Sequence, residues 1–308
     1  MSYNIGIDIG STTVKVVVMN GNEILFKHYE RHFSQVRQKT AEVLKKAADV
    51  IGEAPFRVAL SGSAGFGLSK AAGIEFIQEV YATSKAVPYF DPAIDVIIEL
   101  GGEDAKILFL TGGVEERMNG TCAGGTGAFI DQMATLLDVT PSELDELASH
   151  HEKLYPIASR CGVFAKSDIQ PLLNQGARKE DLAASIFQAV VDQTITGLAQ
   201  GRELKGKIAF LGGPLFFFKG LQERFTETLH LTPENAIFPA LGQFSVAIGT
   251  AFYAAETCEE TTLSDLLDRI EKATSGATVT NYLKPLFSGE EDYQAFVERH
   301  AKAGVKRR

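Results

Sequence analysis

Apolar and polar positions along the chain form short alternating runs that predict strands, separated by glycine-rich turns and by stretches with helical spacing. Residues 3–21, "YNIGIDIGSTTVKVVVMNG", predict a strand, a tight turn and a second strand, because the valine run 16–18 favours extended backbone. Residues 36–52 place apolar side chains at helical spacing and end at Gly52, and residues 56–62 predict a further strand. The chain therefore begins with a β-hairpin that is followed by helix and strand.

The same strand–turn–strand unit occurs a second time at residues 95–113, "DVIIELGGEDAKILFLTGG". Aligned on the turn, the two copies carry an acid, a glycine and a lysine at matching positions, namely Asp8 and Glu99, Gly10 and Gly101, and Lys15 and Lys106. A third glycine turn follows a predicted strand within residues 207–221. Two copies of one unit predict two related lobes, each of which starts with a β-hairpin.

The second half of the chain is richer in helical patterns. Residues 179–201 predict one long helix that Gly201 closes, and residues 240–256 predict a helix of small side chains that packs closely. The remainder is more polar and contains one amphipathic helix that does not fit the two-lobed core. We therefore predict an α/β protein with a first lobe at 1–92, a second lobe at 93–241, a helix of about 242–256 near the lobe junction, and an extension of unknown role at 257–308.

Composition agrees with two lobes and excludes several classes of protein. A chain of 308 residues exceeds the roughly 250–300 residues at which a single core stops growing. The net charge of −9 comes from acids and bases spread along the chain, which argues against a nucleic-acid partner. We see no apolar run of the roughly 18–20 residues that span a membrane and no signal peptide, so we expect a cytoplasmic protein with no membrane partner.

The first hairpin turn has the residues of a phosphate-binding site. Gly10 lacks the Cβ that would block a close approach, and the backbone N–H groups and hydroxyls of Ser11, Thr12 and Thr13 can donate to phosphate oxygens. Asp8, at the end of the strand, is placed to face Mg²⁺ directly or through water. Taken alone, this turn is equally compatible with an ordinary hairpin that has polar turn residues.

The repeated turns favour the phosphate-binding interpretation, because three of them can converge on one nucleotide between two lobes. The further candidates are Lys15 beside the first turn, Glu99, Gly101, Gly102, Glu103 and Asp104 at the second, and Gly212, Gly213 and Pro214 at the third. Residues 62–70, "GSAGFGLSK", do not form a P-loop, because the lysine comes two residues too late. A Rossmann G-x-G-x-x-G pattern is also missing, so nucleotide binding uses a different architecture.

The motifs "IGIDIGSTTVK", "ELGGEDAK" and "FLGGP" resemble, in this order, the phosphate-1, phosphate-2 and adenosine motifs of the acetate kinase–sugar kinase–Hsp70–actin superfamily. Within it, "NGTCAGGTGAFIDQMA" and "RCGVFAKSD" resemble the activator ATPases of 2-hydroxyacyl-CoA dehydratases, which are relatives of the ATPase subunits of benzoyl-CoA reductase. The resemblance covers about residues 3–256. It implies an actin-like (ribonuclease H-like) ATPase fold, with two related lobes and mixed sheets around a nucleotide cleft.

The resemblance also implies an iron–sulfur site at Cys122 and Cys161. Two thiolates cannot hold a [4Fe–4S] cluster, which needs four, so a two-fold homodimer supplies each cysteine twice and the cluster lies between the subunits. Each cysteine precedes a predicted helix, whose N-terminus offers N–H groups to an anionic cluster. From their spacing alone the two cysteines are more typical of buried structural thiols, and Cys258 lies outside both motifs.

The function that follows is an ATP-gated electron donor. A ferredoxin or flavodoxin reduces the cluster, ATP binding closes the lobes, and one low-potential electron passes to a dehydratase or reductase partner under anaerobic conditions. ATP and ADP, with Mg²⁺ at Asp8, occupy the cleft, where Asp8, Glu99 and Glu103 are the catalytic candidates. The segment from the second turn to Cys122 is short, so we expect the glycine nest at 119–127, which contains Cys122, to sense the nucleotide state; this nest contributes the nucleotide-binding candidates Gly124, Gly125 and Thr126.

Three departures from the family pattern keep two other functions open. Glu99 stands where the family has Asp, Glu103 where a Gln is common, and residues 212–221, "GGPLFFFKGL", replace the usual adenosine turn in a form that resembles large multidomain relatives. A small-molecule (sugar-type) kinase of the same fold would need neither Cys122 nor Cys161. A nucleotide-dependent scaffold that has lost both hydrolysis and cluster is the second alternative.

Overall fold

The fold was taken from a computed structural model, which describes residues 3–120, 123–159, 161–273 and 285–302. The chain divides into two compact units, Met1–Thr274 and Ser275–Arg308. Among its described residues, 285–302, the second unit contains helix α13 (Glu290–Ala301). All other helices and strands described below belong to the first unit.

The first sheet contains the predicted N-terminal hairpin. Its strands are β1 (Tyr3–Ile9), β2 (Thr13–Asn20), β3 (Glu23–Arg31), β4 (Phe56–Ser61) and β10 (Glu260–Thr261), in the spatial order β10-β4-β1-β2-β3. Strand β1 is antiparallel to β2 and parallel to β4. Both faces of β1 and β2 are largely buried, as is typical of a sheet covered on both sides.

The second sheet repeats this arrangement. Its strands are β5 (Val96–Leu100), β6 (Ala105–Phe109), β7 (Glu115–Met118), β8 (Ile208–Leu211) and β9 (Ala236–Ile237), in the order β7-β6-β5-β8-β9. Strand β5 is antiparallel to β6 and parallel to β8, which matches the pairing of β1 with β2 and β4. The predicted α/β architecture of two related lobes with mixed sheets is confirmed.

Helices cover the outer face of the first sheet. They are α1 (Val36–Lys46), α2 (Ala48–Ile51), α3 (Gly65–Ala72) and α12 (Leu263–Lys272). Leu266 and Ile270 of α12 are completely buried in the core of this lobe. The extension was expected to begin at residue 257 outside the core, whereas β10 and α12 lie on the first lobe, and the boundary between the compact units follows Thr274.

Helices α5 to α10 surround the second sheet. They are α5 (Gly127–Leu136), α6 (Pro141–Ala148), α7 (Gly162–Asn174), α8 (Lys179–Thr194), α9 (Gly213–Phe217) and α10 (Lys219–Thr228). Helix α8 was predicted to reach Gly201, but it widens into a π-helical turn at Ile195–Ala199. The segment Lys179–Ala199 is long and apolar enough to cross a membrane, yet 67% of its most apolar 18-residue stretch is buried inside the fold, as in a core helix.

Two helices lie between the sheets and connect the lobes. Helix α4 (Glu79–Phe90) follows the first lobe but packs on the second sheet, while α11 (Ser245–Thr257) packs on the first sheet. The helices cross at Gly249, where a Cβ would lie 1.7 Å from the carbonyl oxygen of Ala82. On the other side of α11, a Cβ at Gly6 would lie 1.9 Å from the oxygen of Ala247. Glycine is therefore required on both sides of α11.

We expect Gly249→Ala to lower the free energy of unfolding by about 3 kcal/mol, because the added methyl group would overlap backbone atoms that cannot rotate away. Gly67→Ala is the matched control, since Gly67 lies in helix α3 with open space around it and should gain up to about 1 kcal/mol from helix propensity. Chemical denaturation of both variants measures the difference. Equal stability of the two variants would contradict the close crossing of α4 and α11.

Candidate functional site

Residues from all three predicted glycine turns line one cleft between the two sheets. The predicted residues on its wall are Asp8, Thr12, Thr13, Lys15, Glu99, Gly101, Gly102, Gly212, Gly213 and Pro214. They lie in or directly beside the turns that follow β1, β5 and β8. Strands β5 and β8 are parallel neighbours, as are β1 and β4, so the turns that follow them lie at the same edge of each sheet. The arrangement can hold one elongated ligand that touches both lobes.

The remaining predicted residues lie outside the wall of the cleft. Gly10 and Ser11 belong to the first turn, while Glu103 and Asp104 belong to the second, where Glu103 is exposed. Gly124, Gly125 and Thr126 are buried, and a Cβ at Gly125 would lie 2.9 Å from Cγ of Gln193. Cys161 is at the start of α7, and Cys122 lies outside the described residues.

The two hairpin turns have the same backbone geometry. The N–H of Gly10 donates to the carbonyl oxygen of Thr13 at 3.0 Å, and that of Gly101 donates to Asp104 at 2.7 Å. Within the described part of the chain, no acceptor is found for the backbone N–H groups of Ser11, Thr12, Gly102 and Glu103. Neighbouring N–H groups without acceptors form a concave site for an anion.

The first turn stands beside a buried ion pair. Asp8 and Lys15 occupy directly opposed positions of β1 and β2, and Oδ2 of Asp8 accepts a hydrogen bond from Nζ of Lys15 at 2.6 Å. Burial by itself would lower the pKa of Lys15, but Asp8, Tyr29 and Glu99 outweigh it and hold that pKa above its usual value. Lys15 is therefore a permanent cation on the cleft wall.

The second turn stands beside an equivalent pair with a third member. Glu99 and Lys106 are opposed on β5 and β6, and their charged atoms are 3.8 Å apart. Lys106 makes its close contact with Glu79 at the start of α4, while Thr83 donates a hydrogen bond to Glu99 at 3.0 Å. Burial raises the pKa of Glu99 above its usual value. Burial acts in the same direction on Glu79, but the nearby Lys106 outweighs it and lowers the pKa of Glu79.

Sequence reasoning missed a fourth glycine turn, which matches the third. Gly62 after β4 and Gly212 after β8 have φ of +96° and +92°, a conformation that favours glycine. A Cβ would lie 2.2 Å from the carbonyl oxygen of Ile9 at Gly62, and 2.1 Å from that of Leu100 at Gly212. The signal was present as a glycine directly after a strand, in the same residues 62–70 that do not fit a P-loop.

Two further cleft residues had no signal in the sequence. Tyr29 is the register partner of Lys15 on β3, and its ring packs edge-on against Phe217 of the second lobe with centroids 5.5 Å apart. Gln243 precedes α11, is 8% exposed, and its Oε1 has no partner among the described residues. A buried amide oxygen without a donor is the type of group that a ligand hydroxyl or amine satisfies.

Helix α5 connects the second turn to the cysteine region. The N–H groups of Gly127 and Ala128 donate to the carbonyl oxygens of Gly101 and Gly102 at 3.0 and 2.8 Å. One turn later Asp131 pairs across the cleft with Arg31 of β3 at 2.9 Å. The start of α5 is therefore tied to both lobes.

The start of α7 lies against α5. Cys161 is the N-cap residue of α7, and a Cβ at Gly162 would lie 3.1 Å from Oε1 of Gln132 on α5. Val163 and Phe164, the next two residues, are 72% and 67% exposed. Cys161 thus lies at an apolar, accessible surface close to the helix that contacts the second turn.

The described residues include no group of three or more His, Cys, Asp or Glu side chains that could hold a metal ion. Mg²⁺ is compatible with this cleft, because it uses one or two carboxylates together with substrate phosphates and water, and Asp8 and Glu99 are both buried on the wall. A shared cluster is compatible with Cys161, whose thiol lies where N–H groups of a helix begin.

Comparison with known proteins gives consistent matches. A model described as "BadF/BadG/BcrA/BcrD ATPase family" matches residues 5–254. The chain is 30% identical over 260 residues, 82% of its length and 96% of the relative, to the (R)-2-hydroxyglutaryl-CoA dehydratase activating ATPase of Acidaminococcus fermentans.

Two solved structures resemble the fold, each with a TM-score of 0.72. One is component A of the Acidaminococcus fermentans (R)-2-hydroxyglutaryl-CoA dehydratase, 29% identical over 83% of this chain and 98% of that one. The other is the activator of the 2-hydroxyisocaproyl-CoA dehydratase from Clostridium difficile with bound ADPNP, 26% identical over 88% and 96%. The predicted actin-like ATPase fold is confirmed.

We expect Lys106→Met to lower the free energy of unfolding by about 3 kcal/mol, because it leaves Glu79 and Glu99 buried without their cation. Lys205→Met is the control: Lys205 pairs with Glu203 on the surface and its loss should leave the unfolding midpoint unchanged. Thermal and chemical unfolding at pH 7 measure both. A Lys106→Met protein as stable as the wild type would mean that the carboxylates do not depend on this lysine.

Proposed function

The chain belongs to the BadF/BadG/BcrA/BcrD ATPase family and is an ATPase, and we propose that it is the ATP-driven activator of a 2-hydroxyacyl-CoA dehydratase or a related reductase. The names of its relatives support the activator role, since they describe dehydratase activators. A relative from Thauera aromatica is named as one of the subunits of benzoyl-CoA reductase, which supports a reductase as the alternative acceptor.

The observation that carries the proposal is the direct contact between α5 and the second turn. Gly127 and Ala128 donate to the carbonyl oxygens of Gly101 and Gly102, the turn whose free N–H groups are available for phosphate. A peptide unit that rotates to receive a phosphate moves its carbonyl oxygen as well. Nucleotide binding at this turn therefore acts on the first residues of α5 without any intermediate element.

The same helix reaches the cysteine region through its next turn. Gln132 of α5 lies against Gly162, which follows Cys161. Arg31 on the other lobe pairs with Asp131 of α5. Closing or opening of the cleft therefore changes the contacts that α5 makes with both lobes. If ATP and ADP bind the two arrangements with different affinity, the nucleotide sets the position of α5.

Hydrolysis needs a positioned water molecule and compensation of phosphate charge. We assign Asp8 to the metal ion or the water molecule, since it is buried at the end of β1 on the cleft wall. Lys15 and the backbone N–H groups of both turns then donate hydrogen bonds to the phosphate oxygens. Glu99 faces the same space from the second lobe, and Glu103 and Asp104 follow it in the second turn.

We further propose that Cys122 and Cys161 of two copies of the chain hold a [4Fe–4S] cluster, which would supply one low-potential electron to the acceptor. The exposed apolar residues Val163 and Phe164 beside Cys161 favour a second copy of the chain at this surface. A ferredoxin or flavodoxin is the donor, and the protein works in the cytoplasm.

Iron and acid-labile sulfide in protein purified without oxygen test the cluster. We expect about four irons per dimer, lost in both Cys122→Ser and Cys161→Ser because each removes two of four thiolates. Cys258→Ser is the control and should keep its iron, since Cys258 lies outside both cysteine motifs. A colourless monomer, even after reconstitution with iron and sulfide, would instead favour a kinase or a scaffold.

ATP turnover tests the assignment of Asp8. We expect Asp8→Asn to lower kcat by at least about 100-fold, as the loss of a group that stabilises the transition state does. Asp49→Asn makes the same change on the exposed surface of α2 and should leave turnover unchanged. Turnover by Asp8→Asn equal to that of the wild type would refute the role of Asp8 while leaving the nucleotide cleft in place.

A further inference from the structure

His32 follows the last residue of β3 and makes three hydrogen bonds around the first turn. Its ring Nε2 is 2.9 Å from the carbonyl oxygen of Gly10, and its Nδ1 is 3.1 Å from the backbone nitrogen of Ser34. Its own backbone N–H donates to the carbonyl oxygen of Thr12 at 3.1 Å. The side chain is 3% exposed, so water does not compete for these contacts.

These partners determine which ring nitrogen carries the proton. The backbone N–H of Ser34 can only donate, so Nδ1 of His32 must accept. The carbonyl oxygen of Gly10 can only accept, so Nε2 must donate. A neutral imidazole with its proton on Nε2 therefore satisfies both contacts, and no other form of the ring does.

The contact with Gly10 sets the direction of a phosphate donor. No cis peptide bond occurs in the described chain, so the carbonyl of Gly10 and the N–H of Ser11, which share one peptide unit, point in opposite directions. Because the ring of His32 holds the carbonyl, the N–H of Ser11 points away from His32. That N–H has no acceptor within the described residues and is one of the donors that the first turn offers.

The second lobe holds the equivalent peptide unit by a different means. The carbonyl oxygen of Gly101, which corresponds to Gly10, accepts the N–H of Gly127 at the start of α5 at 3.0 Å. In the first lobe no helix begins at this position, and the imidazole of His32 provides the donor instead. The same peptide unit is thus anchored in both turns, which indicates that its orientation matters for the site.

The backbone after His32 adopts an unfavourable conformation to make this contact. Phe33 and Ser34 have φ of +46° and +62°, the left-handed region that residues with a side chain rarely adopt. This conformation brings the N–H of Ser34 back to the ring of His32 and leaves Phe33 73% exposed. Strained backbone of this kind is retained where it supports a functional site.

We propose that His32 is a positioning residue for nucleotide phosphate, which orients the N–H of Ser11 by holding the carbonyl of Gly10. This inference rests on the proposed function, since the orientation matters only if the first turn receives a phosphate. His32 itself does not touch the ligand. Its removal should therefore weaken phosphate binding without removing a group from the cleft wall.

Three substitutions separate the two ring contacts. His32→Gln keeps an amide N–H where Nε2 was and should bind Mg²⁺–ADPNP within about twofold of the wild type. His32→Asn keeps an acceptor for Ser34 but is too short to reach Gly10, and His32→Leu keeps neither contact. Both should weaken binding by about tenfold, the loss expected for one hydrogen bond that orients a phosphate donor.

Isothermal titration calorimetry with Mg²⁺–ADPNP measures the affinities, and thermal unfolding of each variant is recorded beside them. His28→Gln, on the same strand, is the control and should bind as the wild type does, because His28 pairs with Glu30 away from the turn. Tight binding by Gln and weak binding by Asn, at similar unfolding midpoints, supports the proposal. If His32→Leu does not fold, the Gln and Asn variants decide.

Equal affinity of the His32→Gln and His32→Asn variants for Mg²⁺–ADPNP would overturn the proposal. Weak binding by His32→Gln with normal binding by His32→Asn would also overturn it, because the contact with Ser34 would then be the important one. A wild-type protein that does not bind Mg²⁺–ADPNP would refute the proposed function itself. The two failures are therefore distinguished by the wild-type titration alone.

Discussion

The cleft depends on two buried acid–lysine pairs that stand at directly opposed positions of two hairpins. Asp8 with Lys15 and Glu99 with Lys106 could not be buried singly, because an isolated charge in a protein interior loses far more hydration than packing returns. The pairs are unequal, since Glu79 adds a third carboxylate beside Lys106. The group around Lys106 therefore has one carboxyl side chain more than it has cations.

The exchange of helices α4 and α11 keeps these pairs face to face. Each helix follows one lobe in the chain and packs on the sheet of the other, so the lobes cannot separate without exposing both apolar faces. The glycine at their crossing brings two backbones into contact and leaves little room for sliding.

The carbonyl groups of the two hairpin turns are held by different parts of the fold. The carbonyl of Gly10 is held by His32, a side chain of the same lobe. The carbonyl of Gly101 is held by the first turn of α5, a helix that also contacts the opposite lobe through Asp131. The second turn is therefore linked through α5 to the opposite lobe, and the two turns also meet directly, since a Cβ at Gly102 would lie 2.5 Å from Oγ1 of Thr12.

The amino-acid sequence by itself determined the repeated hairpins and their chemistry. A tight turn between strands with a side-chain period of two places residues such as Asp8 and Lys15 opposite each other on one face, and the sequence showed that the acid and the lysine recur at matching positions in both hairpins. The glycines and hydroxyl residues of the turns were readable for the same reason, and the cysteine motifs indicated the family.

Only the tertiary structure decided which residues from distant parts of the chain lie beside the two hairpin turns. Tyr29 and Gln243 line the cleft, while His32 contacts its first turn and Glu79 contacts Lys106, because helices and strands far apart in the chain meet there, and no local pattern encodes such a meeting. The placement of α12 in the first lobe has the same cause: its apolar stripe specifies a buried face but not the partner that buries it. Local sequence sets backbone conformation and side-chain period, while contacts across the fold depend on the packing of the whole chain.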